Sequence, residues 1–261
     1  NNEGEWVLLN GNQTALMFVY YLITRWKELG KINGKEYIVK TIVTTETIKT
    51  IAERNGVEMY DVYTGFKWIA NVMRENEGKK NYIGGGEESY GFLCEDFVRD
   101  KDAVSACVIL AEIAAWAKDQ GLSLYQLLQK IYVEYGFSKE KGISVVKKGK
   151  SGAEEIEAMM KKFRENPLTE IAGSKVTYFY DYSTLKGKDY AENETVTLDM
   201  PTTSNVLQYF TEDNTKVSIR PSGTEPKIKF YCEVHSKVKS IDELPEAEKA
   251  AEEKNNQIKA S

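Results

Sequence analysis

Apolar residues recur with two different periods along the first half of the chain, and these periods predict its elements. Residues 37–44 form a continuous β-branched run, which is typical of a strand covered on both faces. Helical spacing predicts helices at 13–26, 45–54 and 65–73, and shorter runs predict strands at 6–9, 59–63 and 81–83. Strands that alternate with helices indicate a mixed, mostly parallel three-layer α/β domain, whose ligands bind beyond the carboxyl ends of the strands.

The pattern changes after this alternation ends. Residues 103–118 are apolar nearly all round, which predicts a helix buried against the sheet, with Cys107 as a core residue. A second amphipathic helix is predicted at 122–135 and a strand at 143–146. The basic run at 147–152 is short, and we interpret it as a solvated linker. The predicted domains are therefore 1–148 and 149–261.

The second domain has its strands grouped together. A helix at 153–164 is followed by strands at 176–182, 195–198 and 205–210, a hairpin at 216–234, and a charged closing helix at 241–258. Strands that are segregated from helices predict a small α+β domain with an antiparallel sheet.

Composition excludes several classes of protein. The 261 residues carry a net charge of −5, which argues against a general nucleic-acid surface. No stretch reaches the roughly 18 apolar residues of a membrane span. Cys94, Cys107 and Cys232 are widely spaced, so neither a disulfide framework nor a zinc site is indicated, and the cytoplasm is the expected compartment.

The tip of the predicted hairpin, residues 220–227, carries the groups that bind an anion with several oxygens. Arg220 offers a bidentate guanidinium and Lys227 a neutralising ammonium. Ser222, Gly223 and Thr224 offer hydroxyl and amide donors. A phosphate monoester fits this set. An ordinary hairpin turn is the alternative, because proline and glycine are common in turns.

Two loops at the predicted carboxyl edge of the first sheet carry further candidate residues. Thr64 and Gly65 place a hydroxyl and a helix amino terminus at this edge, although a simple helix cap would also explain them. The other loop, residues 84–91, begins with three glycines and continues with Glu87 and Ser89. Carboxylates such as that of Glu87 are the usual acceptors for sugar hydroxyls. A solvated polar loop is the alternative here.

These motifs resemble those of the α-D-phosphohexomutases, the phosphoglucomutase and phosphomannomutase family, over essentially the whole chain. Residues 220–227 resemble the family's phosphate-binding loop, and residues 86–91 its sugar-recognition loop in the Glu-Glu-Ser form of glucose-type members. The resemblance implies the family's third domain followed by its fourth, TATA-box-binding-protein-like domain. It assigns the substrate phosphate to Arg220, Ser222, Gly223, Thr224 and Lys227. It assigns the sugar to Glu87, Ser89, Thr64, Gly65 and Lys101.

Two motifs of a complete mutase have no counterpart in the chain. Neither the Ser-His-Asn-Pro segment of the phosphoserine nor the Asp-x-Asp-x-Asp-Arg metal loop occurs. The resemblance therefore implies the substrate-binding half of an enzyme that interconverts hexose 1-phosphate and hexose 6-phosphate. No catalytic or metal residue is expected here, and Mg²⁺ and glucose 1,6-bisphosphate are expected for the full-length enzyme.

The expected partners are a hexose phosphate and the amino-terminal mutase domains, with no nucleic acid and no membrane. Asn1 lies almost at the start of a predicted strand, as if the chain were cut from a longer protein. By itself the chain is expected to be inactive. A free-standing sugar-phosphate-binding module and a pentose-phosphate mutase of the same family are the alternatives.

Overall fold

The computed structural model describes residues 1–147, 149–223 and 225–260. The chain folds as two compact units. The first unit comprises Asn1–Phe137 with Lys237–Leu244, and the second comprises Ser138–Ser236 with Pro245–Ser261. None of the helices in the described part of the chain combines the length and the apolar character that a membrane crossing needs.

The first unit alternates helices and strands, as the periodicity predicts. Its elements are α1 (Gly11–Glu28), β1 (Glu36–Thr41), α2 (Thr47–Arg54), β2 (Glu58–Val62), α3 (Phe66–Asn76), β3 (Asn81–Gly86), β4 (Phe92–Cys94), α4 (Ala103–Asp119) and α5 (Leu124–Tyr135). The strands lie in the order β2-β1-β3-β4. β1 is parallel to β2 and β3, whereas β4 runs antiparallel to β3.

Helices cover both faces of this sheet. All six residues of β1 are buried, which agrees with the prediction from its continuous β-branched run. On one face, α3 packs Phe66 and Ile69 against Tyr37 of β1. On the other face, Phe18 of α1 stacks on Phe92 with ring centroids 4.5 Å apart. The three-layer α/β prediction is confirmed.

Two sequence predictions for this unit are wrong. Residues 6–9 form no strand, and Trp6 and Leu8 are almost fully exposed. A strand needs a paired neighbour, and β-propensity alone does not supply one. In α4 only Ile113 and Ala117 are buried, while Val104 is 75% exposed and Cys107 lies at the surface. α4 therefore has an exposed apolar face, which no described residue covers.

The second unit is an antiparallel sheet with helices, so the α+β prediction is also confirmed. Its elements are β5 (Phe137–Val146), α6 (Gly149–Glu165), β6 (Glu170–Ile171), β7 (Ser174–Asp181), β8 (Lys186–Asp189), β9 (Glu194–Thr197), β10 (Leu207–Thr211), β11 (Lys216–Pro221), β12 (Lys227–Ser236) and α7 (Leu244–Ala260). A 3₁₀ turn (Ile241–Glu243), which belongs to the first unit, precedes α7 in the chain. The main path of strands is β5-β12-β11-β10-β7-β8-β9, and β6 pairs with β7. The predicted linker is wrong in part, because α6 already begins at Gly149.

The core of the second unit lies between α6 and the central strands. Ile156 and Met160 of α6 pack against Leu207, Val217 and Ile219. The hairpin of β11 and β12 is continuous with this core, since Ile219 pairs with Phe230 and Arg220 with Lys229. The hairpin tip is therefore carried by two strands that contribute to the core of this unit.

Candidate functional site

The carboxyl ends of β2 and β3 lie at the same edge of the first sheet, and each leads into a candidate loop. β2 ends at Val62, and the chain reaches α3 through Thr64 and Gly65. Gly65 has φ of 110° and ψ of 123°, a conformation that residues with a Cβ rarely adopt. A glycine is therefore required to turn the chain into α3 at this edge.

A hydrogen bond joins the two loops. The amide of Gly65 donates to Oε1 of Glu87 at 2.8 Å. The amide of Glu87 in turn donates to the carbonyl of Gly91 at 2.8 Å, which closes the neck of the loop formed by residues 86–91. One oxygen of the Glu87 carboxylate thus holds the neighbouring turn in place.

Lys101 lies against the same loop. A Cβ built on Gly91 would lie 3.2 Å from Cδ of Lys101 and 3.1 Å from Oε2 of Glu87. The ammonium of Lys101 is 3.2 Å from Oδ1 of Asp100 and 5.8 Å from the centroid of the Phe66 ring. The structure therefore brings Gly65, Glu87 and Lys101 together, and it does so around Gly91.

The other polar residues of the loop point in different directions. Thr41 of β1 donates a hydrogen bond to Glu88 at 3.3 Å, so this carboxylate is turned towards the sheet. Ser89 is exposed, and Thr64 is partly buried. Tyr90 adopts φ of 71°, and its hydroxyl donates to the carbonyl of Leu9 at 3.0 Å. Ser89 is thus presented to solvent between two anchored neighbours.

Asp102 plays a local structural role beside Lys101. Its carboxylate caps α4 by accepting hydrogen bonds from the amides of Val104 at 3.0 Å and Ser105 at 3.1 Å. The hydrogen bonds from Ser105 and Val104 lower the pKa of Asp102, so it stays ionised as a cap. This cap sets where α4 begins and thereby fixes the chain next to Lys101.

Sequence reasoning missed a buried lysine beneath this edge. Lys40 of β1 is completely buried, and its ammonium lies 2.7 Å from Asp61 and 3.0 Å from Glu46. A buried charge must be paired, and this one ties the end of β2 to the loop that precedes α2. The signal was available, because Lys40 is the only charged residue in the run 37–44.

The hairpin tip of the second unit is closed by short backbone hydrogen bonds. The amide of Ser222 donates to the carbonyl of Lys227 at 2.7 Å, and the amide of Lys227 donates to the carbonyl of Glu225 at 2.7 Å. The amide of Glu225 donates to the hydroxyl oxygen of Ser222 at 3.3 Å. Thr224, which the sequence assigns to this site, lies outside the described residues.

Positive charge is concentrated on one face of this hairpin. Arg220 and Lys229 are directly paired across β11 and β12, so their side chains leave the sheet on the same face. Sequence reasoning missed Lys229, although the alternation Lys227-Ile228-Lys229 places it on the face of Lys227. The ammonium of Lys227 is paired with Oε2 of Glu225 at 2.8 Å. The tip therefore offers three cations and one carboxylate.

The tip is also hydrogen-bonded to the segment that follows β5. The amide of Lys147, at the end of β5, donates to the carbonyl of Pro226 at 2.9 Å. A pocket of about 290 Å³ separates the tip from α6, and its lining includes Met160, Ser222 and Glu225. A Cβ on Gly223 would meet no other described atom within 4 Å. The protein itself leaves open space around Gly223, so a ligand can approach its backbone.

Comparison with protein families identifies both units. Residues 10–135 match the alpha/beta/alpha domain III of phosphoglucomutase/phosphomannomutase, and residues 144–251 match the C-terminal domain of the same family.

Curated relatives and solved structures agree with this match. The phosphoglucomutase of Staphylococcus haemolyticus is 33% identical over 90% of this chain and 42% of its own length. A phosphoglucomutase of Staphylococcus aureus is 37% identical over 88% of this chain and 40% of its own length. The chain thus spans about two fifths of these relatives.

Two solved structures share the fold. Parafusin, a phosphoglucomutase from Paramecium in its open form, superposes with a TM-score of 0.57 at 16% identity, over 97% of this chain and 42% of its own. A putative phosphomannomutase from Thermus thermophilus gives a TM-score of 0.58 at 16% identity, over 97% of this chain and 41% of its own.

Proposed function

The chain belongs to the phosphoglucomutase/phosphomannomutase family, and we propose that it is the substrate-binding half of a phosphoglucomutase. Such an enzyme interconverts glucose 1-phosphate and glucose 6-phosphate through a bisphosphate intermediate. The proposal rests on one observation above all. One hairpin carries Arg220, Lys227 and Lys229 beside the backbone of Gly223, around which the described residues leave open space. This is the donor set that recognises a phosphate.

In this proposal the hairpin tip grips the phosphate that does not react. Arg220 supplies a bidentate guanidinium, Lys227 and Lys229 neutralise the dianion, and Ser222, Gly223 and Thr224 supply hydroxyl and amide donors. A phosphate held in this way positions the other end of the sugar for reaction, and no bond is broken at the tip itself.

In this proposal the loop of residues 86–91 binds the sugar. One carboxylate oxygen of Glu87 accepts from Gly65, and the other accepts hydrogen bonds from the sugar hydroxyls. The exposed Ser89 hydroxyl and the Lys101 ammonium make further contacts with the sugar. Thr64 contributes a hydroxyl from the adjacent turn. The Glu-Glu-Ser sequence supports glucose as the sugar, by its resemblance to glucose-type members of the family.

The chemical step depends on domains outside this chain. Among the described residues no group of three or more His, Cys, Asp or Glu side chains could hold a metal ion. By the chain's resemblance to the family, we assign Mg²⁺ and the phosphoserine to amino-terminal mutase domains, with glucose 1,6-bisphosphate as the intermediate and activator. The exposed apolar face of α4 around Val104 and Val108 would suit contact with these domains. A cytoplasmic location suits the free thiols of the chain.

A chimaeric enzyme tests this proposal. The chain is fused behind the amino-terminal half of the Staphylococcus aureus relative, and conversion of glucose 1-phosphate to glucose 6-phosphate is followed with a coupled dehydrogenase. We expect no turnover by the chain alone and turnover by the chimaera. Turnover of ribose 1-phosphate in preference to glucose 1-phosphate would instead establish a pentose-phosphate mutase. Sugar-phosphate binding without turnover by the folded chimaera would favour a free-standing binding module.

A further inference from the structure

The hairpin tip contains its own anion. The carboxylate of Glu225 lies 2.8 Å from the ammonium of Lys227, one of the cations that the proposed function assigns to phosphate. Only Pro226 lies between Glu225 and Lys227 in the chain, so the carboxylate is placed to compete directly with a bound phosphate for Lys227. A loop built only to hold phosphate tightly would not need this carboxylate.

The carboxylate is not required to close the tip. Closure is achieved by the backbone, through the bonds from Ser222 to Lys227 and from Lys227 to Glu225. The Glu225 side chain is 61% exposed, whereas that of Lys227 is 24% exposed. An ion pair with one partner so exposed contributes little to stability. Glu225 can therefore leave Lys227 and enter solvent without disturbing the fold of the tip.

We propose that Glu225 is an internal competitor for phosphate, which pairs with Lys227 in the empty loop and is displaced when a phosphate monoester binds. This inference rests on the proposed function, since it concerns the same phosphate site. During binding, the Lys227 ammonium exchanges a carboxylate partner for a phosphate oxygen. No covalent bond changes.

Because Lys227 must give up Glu225, the exchange lowers the affinity of the loop for phosphate, and a lower affinity favours release. A mutase must release the phosphate that it holds so that the bisphosphate intermediate can reorient, and a grip that is too strong would slow that release. The hydrogen bond and charge of Lys227 lower the pKa of Glu225, so the competitor is ionised at neutral pH. Lys229 adds to the same effect on Glu225.

The charge of Glu225 can be removed without changing the shape of its side chain. Glu225→Gln keeps a side chain of the same length but removes its negative charge. The variant therefore cannot form an ion pair with Lys227 and does not repel phosphate. We expect this variant to bind inorganic phosphate roughly threefold to tenfold more tightly than the unchanged chain, which is the range for one nearby charge at a protein surface. The difference should shrink as salt is added.

Phosphate titration followed by phosphorus NMR measures this effect with inorganic phosphate as the probe. Glu194→Gln on β9 is the control, because Glu194 is exposed and the change removes the same charge elsewhere in the unit. Arg220→Ala reports whether the probe binds at the hairpin tip. Tighter binding by Glu225→Gln alone, with loss of binding in Arg220→Ala, supports the inference.

The opposite outcomes separate the two proposals. If Arg220→Ala abolishes binding but Glu225→Gln binds equally or more weakly than the unchanged chain, the competitor is disproved and the phosphate site stands. If binding is insensitive to Arg220→Ala, or neither the chain nor Glu225→Gln binds phosphate, the phosphate site and the competitor both fail.

Discussion

The amide of Gly65 and the carboxylate of Glu87 are joined by a hydrogen bond of 2.8 Å, although they lie 22 positions apart in the chain. This bond connects the loop after β2 to the loop after β3, so the two loops form one structural unit at the sheet edge. One carboxylate oxygen holds Gly65, and in the proposed function the other accepts hydrogen bonds from the sugar. Glu87 thus links the shape of the site to its proposed recognition of sugar hydroxyls.

Substitution of Glu87 separates these two roles. Glu87→Gln keeps an oxygen that can accept from Gly65 but removes the charge, whereas Glu87→Ala removes both. A hydrogen bond to a charged group is worth about 1.5–3 kcal/mol, so we expect glucose 1-phosphate affinity to fall roughly tenfold in the glutamine variant and further in the alanine variant. Calorimetric titration measures this, with the exposed Glu53→Gln as control. Equal affinity in all variants would remove Glu87 from the site.

Gly152 packs closely against Lys147, whose backbone is hydrogen-bonded to the hairpin tip. A Cβ at Gly152 would lie 2.6 Å from the carbonyl carbon of Lys147, whose amide holds Pro226 of the tip. Alanine normally stabilises a helix by about 1 kcal/mol relative to glycine, but overpacking costs typically about 1–3 kcal/mol. We expect the clash to prevail, so Gly152→Ala should lower the melting temperature of the second unit and weaken phosphate binding.

Gly142 provides the matched control for that substitution. It lies in β5, and a Cβ there would meet nothing within 4 Å. Gly142→Ala should leave stability within about 0.5 kcal/mol and phosphate binding unchanged. Calorimetric melting of both variants checks the prediction, and equal behaviour of Gly142→Ala and Gly152→Ala would show that the tip does not depend on this contact.

Lys40 should contribute to stability through its buried ion pairs. Lys40→Met leaves Asp61 and Glu46 facing an uncharged side chain, but these carboxylates are 34% and 30% exposed and can be partly hydrated. We therefore expect a loss of about 1–3 kcal/mol, less than for a fully buried pair. All 4 tryptophans of the chain lie in the first unit, so urea unfolding followed by tryptophan fluorescence reports on this unit.

The exposed Lys49 of α2 is the control for Lys40. Its ammonium is 3.9 Å from Glu53, and the side chains are 49% and 63% exposed. Lys49→Met should change the free energy of unfolding by less than about 0.5 kcal/mol. Unfolding curves of Lys40→Met and Lys49→Met that coincide would contradict a stabilising role for the buried pairs.

Acid should destabilise the first unit through Glu36. Burial alone would raise the pKa of Glu36, but hydrogen bonds from the amides of Asn33 and Gly34 and from the side chain of Asn81 outweigh it, and the pKa is lowered below its usual 4.5. A depressed pKa in the folded state means that the carboxylate stabilises the protein above the unfolded pKa. This contribution is lost as the pH falls below about 4.5.

Glu36→Gln tests this dependence. The variant should be less stable than the unchanged chain at about pH 7, and the difference should shrink as the pH falls through about 4.5 towards about 3. Urea unfolding followed by tryptophan fluorescence at each pH measures it. A difference in unfolding free energy that stays constant over this range would show that the ionisation of Glu36 does not contribute.

Periodicity predicts most of the elements, because core strands and helices in this chain bury whole faces. It fails where burial depends on a neighbour outside the pattern. Residues 6–9 have the composition of a strand but no partner among the described residues, and α4 has an apolar face that nothing described covers. The short strand β4 was missed because its three residues, 92–94, are too few to show alternation.

The candidate site shows the same division. Arg220, Lys227 and Glu87 are predicted as site residues from the sequence because their chemistry is concentrated in short loops. Their partners are not, since the bond from Gly65 to Glu87 spans two loops and depends on the order of strands in the sheet. The pairing of Arg220 with Lys229 likewise follows from the register of the hairpin, which no local motif specifies.

The most direct test of the account is calorimetric titration of the chain with glucose 1-phosphate and glucose 1,6-bisphosphate, compared with its Arg220→Ala variant. Lys186→Ala on β8 is the control, because it removes one exposed cation from another strand of the same unit. We predict binding of both ligands by the unchanged chain and by Lys186→Ala, and at least a roughly tenfold loss in Arg220→Ala, because a charge-assisted bidentate contact disappears. Equal affinity with and without Arg220 would show that the hairpin tip is only a turn and would contradict the account.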